Sequence, residues 1–218
     1  NYQIVLGTNT ESADITTPLT GTISGVTGDG SFTIDIADDT ILDTLAGETF
    51  TVQLTSGTGY TVGTNTGTVT ITDTDSGTVD LSADASVTEG SAATVTATLS
   101  GVTEAEDDIT VDITSAAGTD TEAADGTFGP DTITIAAGDT TGTTIVSAAN
   151  DTIGGESGES FDVTMSGDDH SGTTLGTTTA NTTITDTDDF LSDATFGEET
   201  LQAGPQVIDG TFNASFDP

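Results

Sequence analysis

Two pairs of aspartates, each with one residue between its members, carry the clearest chemical signal in this sequence. Asp73 and Asp75 end the run VTITDTD, and Asp186 and Asp188 end the matching run TTITDTD. Residues i and i+2 of an extended strand lie on the same face, so both carboxylates of a pair can point at one spot. Two like charges at so short a distance remain ionised only if they are fully solvated or bound to a cation.

The charge balance limits the partners that this chain can have. The 218 residues include 37 acidic residues, one His and no Lys or Arg, which gives a formal net charge of −37. Binding to nucleic-acid phosphates requires Lys or Arg, so nucleic acid is excluded. Anionic membranes are excluded for the same reason. Divalent cations, in contrast, would relieve the self-repulsion of so acidic a surface.

The absence of Cys removes a second group of functions. Without Cys the chain has no disulfide and no thiol chemistry. With a single His as well, the residue types argue against zinc and copper sites.

The pattern of apolar residues predicts an all-β fold. Thr is abundant, apolar residues recur at every second position, and no useful helical periodicity occurs. Gly- and Asp-rich turns separate short strands. In the second half of the chain we expect strands near 78–81, 93–99, 109–113, 132–135, 143–147, 160–165 and 178–185. About seven short strands in about 110 residues predict an antiparallel β-sandwich.

A long internal repeat organises these strands into domains. Glu48 and Glu159 lie 111 positions apart, as do Phe50 and Phe161, and Asp73 precedes Asp186 by 113. A period this long indicates repeated domains rather than the rungs of a solenoid. We predict three units: residues 1–76 form a sandwich that lacks its first two strands, residues 77–189 form a complete sandwich, and residues 190–218 match the two missing strands. The repeats are therefore circularly permuted across the chain ends.

This permutation predicts a fibre. A sandwich without two strands exposes unpaired sheet edges. We expect residues 190–218 of one subunit to complete the first sandwich of the next subunit, which is donor-strand complementation in a head-to-tail homopolymer. The alternative is that the 218 residues are a window on one long chain of tandem repeats.

The order of motifs in the second repeat resembles the Calx-beta domain. It reads Val87-x-Glu89-Gly90, then Asn150-Asp151, then E-x-x-E-x-F-x-V over 156–163, then I-x-D-x-D over 184–188. The resemblance implies a seven-stranded sandwich that often binds calcium at one end. The family occurs in extracellular adhesins and in the regulatory part of sodium–calcium exchangers. The likeness to the adhesins implies an extracellular or cell-surface protein.

The resemblance also implies the ligands of the ion. In the second repeat the candidate metal ligands are Glu89, Asp125, Asp151, Glu156, Glu159, Asp186 and Asp188. In the first repeat they are Asp14, Asp38, Asp39, Glu48, Asp73 and Asp75, with Glu198 supplied by a neighbouring chain. Asn150 stands at an Asp position of the family and can offer a carbonyl oxygen. The first repeat departs from the family pattern because Leu45 occupies the first Glu position, for which Asp43 is a loose substitute.

Several alternative interpretations stay open at this stage. Any single Asp beside a strand can be a turn-former that hydrogen-bonds its own backbone. A module that binds a host or surface glycan is a second candidate, although the chain has no Trp and only Tyr2 and Tyr60 as tyrosines. An acidic sandwich adapted to high salt, without a specific ion site, is a third. An enzyme is the poorest candidate, because Ser/His/Asp and Cys/His arrangements are hard to assemble here. We expect His170 to be a solvated turn residue and both Phe50 and Phe161 to be core anchors.

Overall fold

The computed structural model describes residues 1–24, 30–43, 47–151 and 158–187. Within these ranges the regular elements are all β-strands, which confirms the prediction of an all-β fold. No helix long and apolar enough to cross a bilayer occurs in the ranges that the structure describes.

The first repeat contributes one sheet to the described structure. Its strands are β1 (Tyr2–Leu6), β2 (Thr20–Gly21), β3 (Ile41–Leu42), β4 (Glu48–Leu54) and β5 (Thr66–Ile71). Four of them form an antiparallel sheet in the order β2-β1-β4-β5. The core on this sheet is small, since its buried apolar residues are Ile4, Ile15 and Phe50.

The second repeat forms two facing sheets. Its strands are β6 (Gly77–Ala83), β7 (Ser86–Thr88), β8 (Ala92–Ser100), β9 (Glu104–Ala105), β10 (Ile109–Ala117), β11 (Pro130–Ile135), β12 (Thr141–Ser147), β13 (Ser160–Asp168), β14 (Thr173–Leu175) and β15 (Thr179–Thr185). One sheet has the order β11-β10-β13-β15-β7 and the other has the order β12-β8-β6-β14. These strands include all seven that the sequence predicted for this half.

Alternation along the strands builds the core between the two sheets. In β8 the side chains of Val95, Ala97 and Leu99 are buried, while the threonines between them face outward. Phe161 is fully buried, and its ring lies 5.7 Å from that of Phe128. Phe161, like Phe50 in the first repeat, is therefore a core anchor, as expected.

The first strand of the second repeat is split between the sheets. β6 pairs antiparallel with β8, and after the Ala83–Ser86 crossing β7 pairs parallel with β15. Asp84 fixes the crossing, because its carboxylate accepts a hydrogen bond from the N–H of Thr94 (2.8 Å) and its carbonyl accepts one from the buried hydroxyl of Thr182 (2.8 Å). β14 also pairs parallel with β6. The sandwich is thus mainly antiparallel, with two short parallel pairs that the sequence pattern did not predict.

The two repeats share a built junction. β3 of the first repeat pairs parallel with β9 of the second, Ile41 opposite Glu104 and Leu42 opposite Ala105. Leu42 is fully buried and belongs to the core of the second repeat. It lies against Gly172, where an added Cβ would come within 2.6 Å of its Cδ1.

The prediction that His170 is a solvated turn residue is wrong. His170 is 3% exposed, and its Nδ1 accepts a hydrogen bond from the N–H of Gly172 (3.2 Å). The local sequence is polar, but Leu42 of the first repeat packs onto the same turn. A contact between repeats, which local sequence cannot reveal, therefore buries this side chain.

One face of the first repeat has no described partner. β5 bonds to β4 on one edge, whereas its counterpart β15 bonds to β13 on one edge and to β7 on the other. Val69, which pairs with Phe50 and so lies on the same face of this sheet, is 40% exposed. The segment 190–218, predicted to supply the missing strands, lies outside the described residues.

Candidate metal centre

Carboxylates from several segments converge at one end of the first repeat. They surround a cavity of about 60 Å³ that is also lined by Ile36, Ala37, Ile71, Thr72 and Thr74. The acidic residues lining this cavity are Asp14, Asp38, Asp39, Asp43, Glu48, Asp73 and Asp75. A space of about 10–15 Å³ already holds a water molecule, so the cavity has room for a cation with some of its water.

Short backbone hydrogen bonds hold this end in place. Asp73 follows β5, and its Oδ1 accepts a hydrogen bond from the N–H of Asp75 (2.6 Å), which curls the Asp-Thr-Asp segment into a turn. Its Oδ2 accepts a hydrogen bond from the N–H of Asp43 (3.1 Å), so Asp73 also ties the loop after β3 to the end of β5. Asp14 closes a similar turn by accepting from the N–H of Glu11 (2.6 Å).

Burial and mutual repulsion perturb the carboxyl groups in and beside the cavity. Burial raises the pKa of Asp43 to about 6, and the charges of Asp73 and Asp39 raise it further. Burial likewise raises the pKa of Glu48 to about 7, helped by the charge of Asp14. Such shifts mean that the folded chain holds these carboxylates together at a cost in free energy.

Glu106 of the second repeat lies at the edge of this group. The carboxylate oxygens of Glu11, Glu48 and Glu106 lie within 4.8 Å of one another. Burial and then the charges of Glu11 and Asp43 raise the pKa of Glu106 to about 7. The repulsion therefore extends across the junction between the repeats.

The second repeat shows the start of an equivalent arrangement. Carboxylate oxygens of Glu122, Asp125 and Glu159 lie within 4.8 Å of one another, and the N–H of Glu122 donates to Asp125 Oδ2 (2.6 Å), as Glu11 does to Asp14. The N–H of Ala149 donates to the carbonyl of Asp125 (2.6 Å), which brings the segment that leads to Asp151 beside this group.

The remaining predicted ligands of the second repeat are only partly placed. Glu89 is 7% exposed, and its N–H donates to the carbonyl of Thr185 (3.1 Å), one residue before Asp186. The side-chain amide of Asn150 donates to the carbonyl of Asp151 (2.9 Å). Glu156, Asp188 and Glu198 lie outside the described residues.

The sequence analysis did not name four of the acidic residues that lie at these acidic ends of the two repeats. Asp43 had been noted only as a loose substitute, yet it lines the cavity. Glu11 and Glu122 belong to the E-x-x-D segments that recur 111 positions apart, so the repeat itself held a signal for them. Glu106 belongs to the other repeat, and no spacing rule within a repeat could have found it.

The chemistry of this donor set is that of a hard cation. All its side-chain donors are carboxylate oxygens, and calcium takes six to eight oxygen ligands in flexible geometry. The chain has no Lys or Arg to neutralise them. The seven carboxylates around the first-repeat cavity can therefore be neutralised from outside only by cations or protons.

Comparison with known proteins finds likeness at the level of structure. No family model matches the sequence, and neither does any curated protein. Solved structures that match include the apo-form Calx CBD1 domain, with 16% identity over 52% of this chain and 100% of that chain and a TM-score of 0.45. CBD12 from CALX1.2 matches 50% of this chain and 44% of its own, with 16% identity and a TM-score of 0.44. Calcium binding domain CBD12 of CALX1.1 matches over 84% of this chain and 85% of its own, with 14% identity and a TM-score of 0.37. These three structures are all of Calx domains.

Proposed function

We propose that the chain is a calcium-binding structural repeat of an extracellular fibre or adhesin stalk, without enzymatic activity. One observation carries the calcium part: seven carboxylates line a single cavity in a chain that has no Lys or Arg to pair with them. Calcium fits better than magnesium, because magnesium keeps most of its water and binds one or two carboxylates. We expect a dissociation constant on the order of 10⁻⁴–10⁻³ M, as in other extracellular modules.

Both repeats are candidates to bind calcium in this proposal. In the first repeat, the ligands of the ion are the six acidic residues that the sequence analysis named together with Asp43. In the second repeat, Asp125 and Glu159 are two predicted ligands whose carboxylate oxygens lie within 4.8 Å of each other. Glu198 of a neighbouring chain would complete the first-repeat site next to Asp73.

Calcium titration of the purified chain tests the ion site. We expect saturable heat of binding by isothermal titration calorimetry and a higher melting temperature when calcium is present. Asp73→Asn should weaken binding about tenfold or more, since it removes a charged ligand and weakens the hydrogen bond that Asp73 accepts from the N–H of Asp43. Asp112→Asn, an exposed change on β10, is the matched control and should leave binding unchanged. A melting temperature that responds to sodium chloride as strongly as to calcium would instead support an acidic surface adapted to high salt.

Assembly into a fibre is the second part of the proposal. The support is the unpaired outer edge of β5 in the described structure, together with the sequence match between residues 190–218 and the first strands of a repeat. A second copy that donates this segment would cover Val69, on the Phe50 face of the sheet, and pair with β5 as β7 pairs with β15. A preceding repeat of a longer chain would cover the same face.

Removal of the donor segment tests the assembly. In sedimentation and electron microscopy, the full 218-residue chain should form linear polymers, and a chain that ends at residue 189 should stay monomeric. Adding the 190–218 segment as a separate peptide should raise the melting temperature of the shortened chain. Full-length chains that stay monomeric at high concentration in calcium would refute complementation without touching the ion site.

A further inference from the structure

The outward face of the first-repeat sheet carries no acidic side chain on its described strands β1, β4 and β5. Ile4 and Phe50 point into the core, so the residues that alternate with them on β1 and β4 face outward. Strand pairing arranges these outward residues and those of β5 in rows across the sheet. Two of the rows are Val5 with Thr51 and Thr68, and Thr49 with Thr70. We call this surface the uncharged face.

The uncharged face is open in the part of the chain that the structure describes. Val5 is 42% exposed, and Thr68 and Thr70 are exposed as well. A third row, Gln3 with Gln53, continues the face with amides. Hydroxyls and amides both donate and accept hydrogen bonds, and the threonine methyl groups with Val5 add apolar area. A surface of this composition is complementary to a copy of itself.

The second repeat differs at the same place. On β13, Asp162 lies opposite Asn181 as Thr51 lies opposite Thr68 on the first-repeat sheet. Thr51 and Asp162 are 111 positions apart, the period of the repeat. Asp162 is exposed, and its Oδ1 accepts a hydrogen bond from the side-chain amide of Asn181 (2.9 Å). Of two equivalent faces, one therefore carries a carboxylate near its centre, and the other carries a threonine hydroxyl there.

This difference in charge indicates what class of partner the uncharged face fits. A neutral partner gives no reason to avoid carboxylates, because a carboxylate accepts hydrogen bonds from hydroxyl groups. Another copy of this chain, in contrast, has a formal net charge of −37. Like charges that face each other across an interface cost several kcal/mol. Contact between two copies is therefore least opposed where neither copy presents a carboxylate.

We propose that the uncharged face binds the same face of a second copy of this chain. The contact is isologous, so that each row of one sheet lies against a row of the other across a two-fold axis. It uses the outer face of the sheet, which is neither the acidic end nor the free edge of β5. It therefore goes beyond the proposed function and adds a sideways contact to the ion site and to end-to-end assembly.

The size of the face sets the strength of this contact. Strands about 4.8 Å apart, with about 3.4 Å per residue, give the three rows an area of about 300 Å². That is less than half of the roughly 800 Å² that each partner buries in a stable complex. Two single chains therefore associate weakly and transiently. Chains joined end to end present the face many times, and the contacts then act together and bundle the fibres side by side.

Cross-linking through one introduced cysteine tests the contact. The chain has no Cys, so a Thr68→Cys chain can be linked by a short bis-maleimide only to a second copy. We expect a covalent dimer of the full-length chain at high concentration, both in calcium and in EGTA with one molar salt, which screens the remaining surface charge. Asn181→Cys, at the matching position beside Asp162, is the control and should give about tenfold less dimer.

Two substitutions at Thr51 separate charge from shape. Each is placed in the Thr68→Cys chain. Thr51→Asp gives the first repeat the side chain that the second repeat has at this position, so the sheet should keep its melting temperature. The yield of dimer at low salt should nevertheless fall about tenfold or more, because two carboxylates would face each other. Thr51→Asn, of similar size but uncharged, should keep the yield.

Three results would overturn the proposal. The first is a Thr68→Cys chain that links no better than the Asn181→Cys chain, and the second is equal yields from Thr51→Asp and Thr51→Asn. The third is a chain that does not link to itself but is retained on insoluble cellulose, which would assign the face to a neutral polysaccharide. Because the test needs neither calcium nor residues 190–218, none of these results bears on the ion site or on donor-strand assembly.

Discussion

Acidification without calcium should stabilise this protein, although acid destabilises most folds. The pKa values of Asp43, Glu48 and Glu106 are all raised in the folded chain, to about 6, 7 and 7. The folded chain therefore binds more protons than the unfolded chain between pH 4.5, the ordinary pKa of Glu, and about pH 7. Lowering the pH across this window removes a destabilisation that is fully present above pH 7.

The size of the effect follows from the pKa of Glu48. A rise from 4.5 to about 7 corresponds to about 3 kcal/mol of unfavourable free energy when the group is ionised, since one pKa unit is about 1.4 kcal/mol. Asp43 and Glu106 share the same repulsion with Glu48 and are half-buried, so screening by water reduces their share and the three values do not add. We expect about 3 kcal/mol for the whole cluster, set mainly by Glu48, which is a rise in melting temperature of about 6–12 °C for a chain of this size.

The assay uses the two tyrosines as reporters. Tyr2 and Tyr60 both belong to the first repeat, and the chain has no Trp, so tyrosine fluorescence reports the melting of the repeat that contains the cluster. Melting is followed in EGTA at pH 8, 7, 6 and 5, and repeated in saturating calcium. In calcium the trend should reverse, because protons compete with the ion for the same carboxylates.

Two controls isolate the cluster from the general charge of the chain. In one molar salt, repulsion between surface charges is screened beyond about 3 Å, whereas buried groups are screened far less. The rise in melting temperature on acidification should therefore persist in one molar salt. Glu48→Gln should flatten the trend, whereas Asp112→Asn should not. A melting temperature in EGTA that is constant or falls between pH 8 and pH 5 would refute the clustering of charge described here.

Three further predictions concern the framework around the site. Leu42→Ala should cost about 2–5 kcal/mol in the urea unfolding of the second repeat, because Leu42 fills its core from the neighbouring repeat; a cost only to the first repeat would contradict this placement. Thr182→Val should cost about 1–3 kcal/mol in the same assay, because it leaves the Asp84 carbonyl without its buried donor, and a neutral result would contradict that bond. Gly142→Ala should lower the free energy of unfolding by about 1–3 kcal/mol, because the added Cβ would meet the carbonyl of Thr134. Gly67→Ala, in open space on β5, is the control and should change the free energy of unfolding by less than about 0.5 kcal/mol.

Much of the fold could be predicted because apolar and polar residues alternate along the long strands. The apolar positions of β8 and β10 point into one core, and the repeat of 111 positions aligns Phe50 with Phe161 in the sequence itself. The short strands were not predictable in the same way. β7, β9 and β14 have two or three residues each, too few for a pattern. All three pair parallel with strands distant in the chain, and only the folded structure defines those partners.

The candidate site divides along the same line. Asp14, Glu48 and Asp73 could be named because each has a counterpart one repeat later, and all three line the first-repeat cavity. Glu106 and His170 were missed or misplaced because their surroundings come from the other repeat. A sequence motif indicates which residues a segment contributes to its own domain, but it does not indicate which residues the segment contributes to a neighbouring domain.

The parallel pairing of β7 with β15 decides how a repeat responds to tension. The strand that begins the second repeat and the strand that ends it run side by side in the same direction. Pulling the two ends of the repeat apart therefore loads the three residue pairs between Thr183–Thr185 and Ser86–Thr88 in shear, so that their hydrogen bonds must break together rather than unzip one by one. We expect single-molecule pulling to give a high, sharp rupture force for this repeat, and Val87→Pro on β7 to lower it steeply. A rupture force unchanged by Val87→Pro would place the mechanical resistance elsewhere in the sandwich.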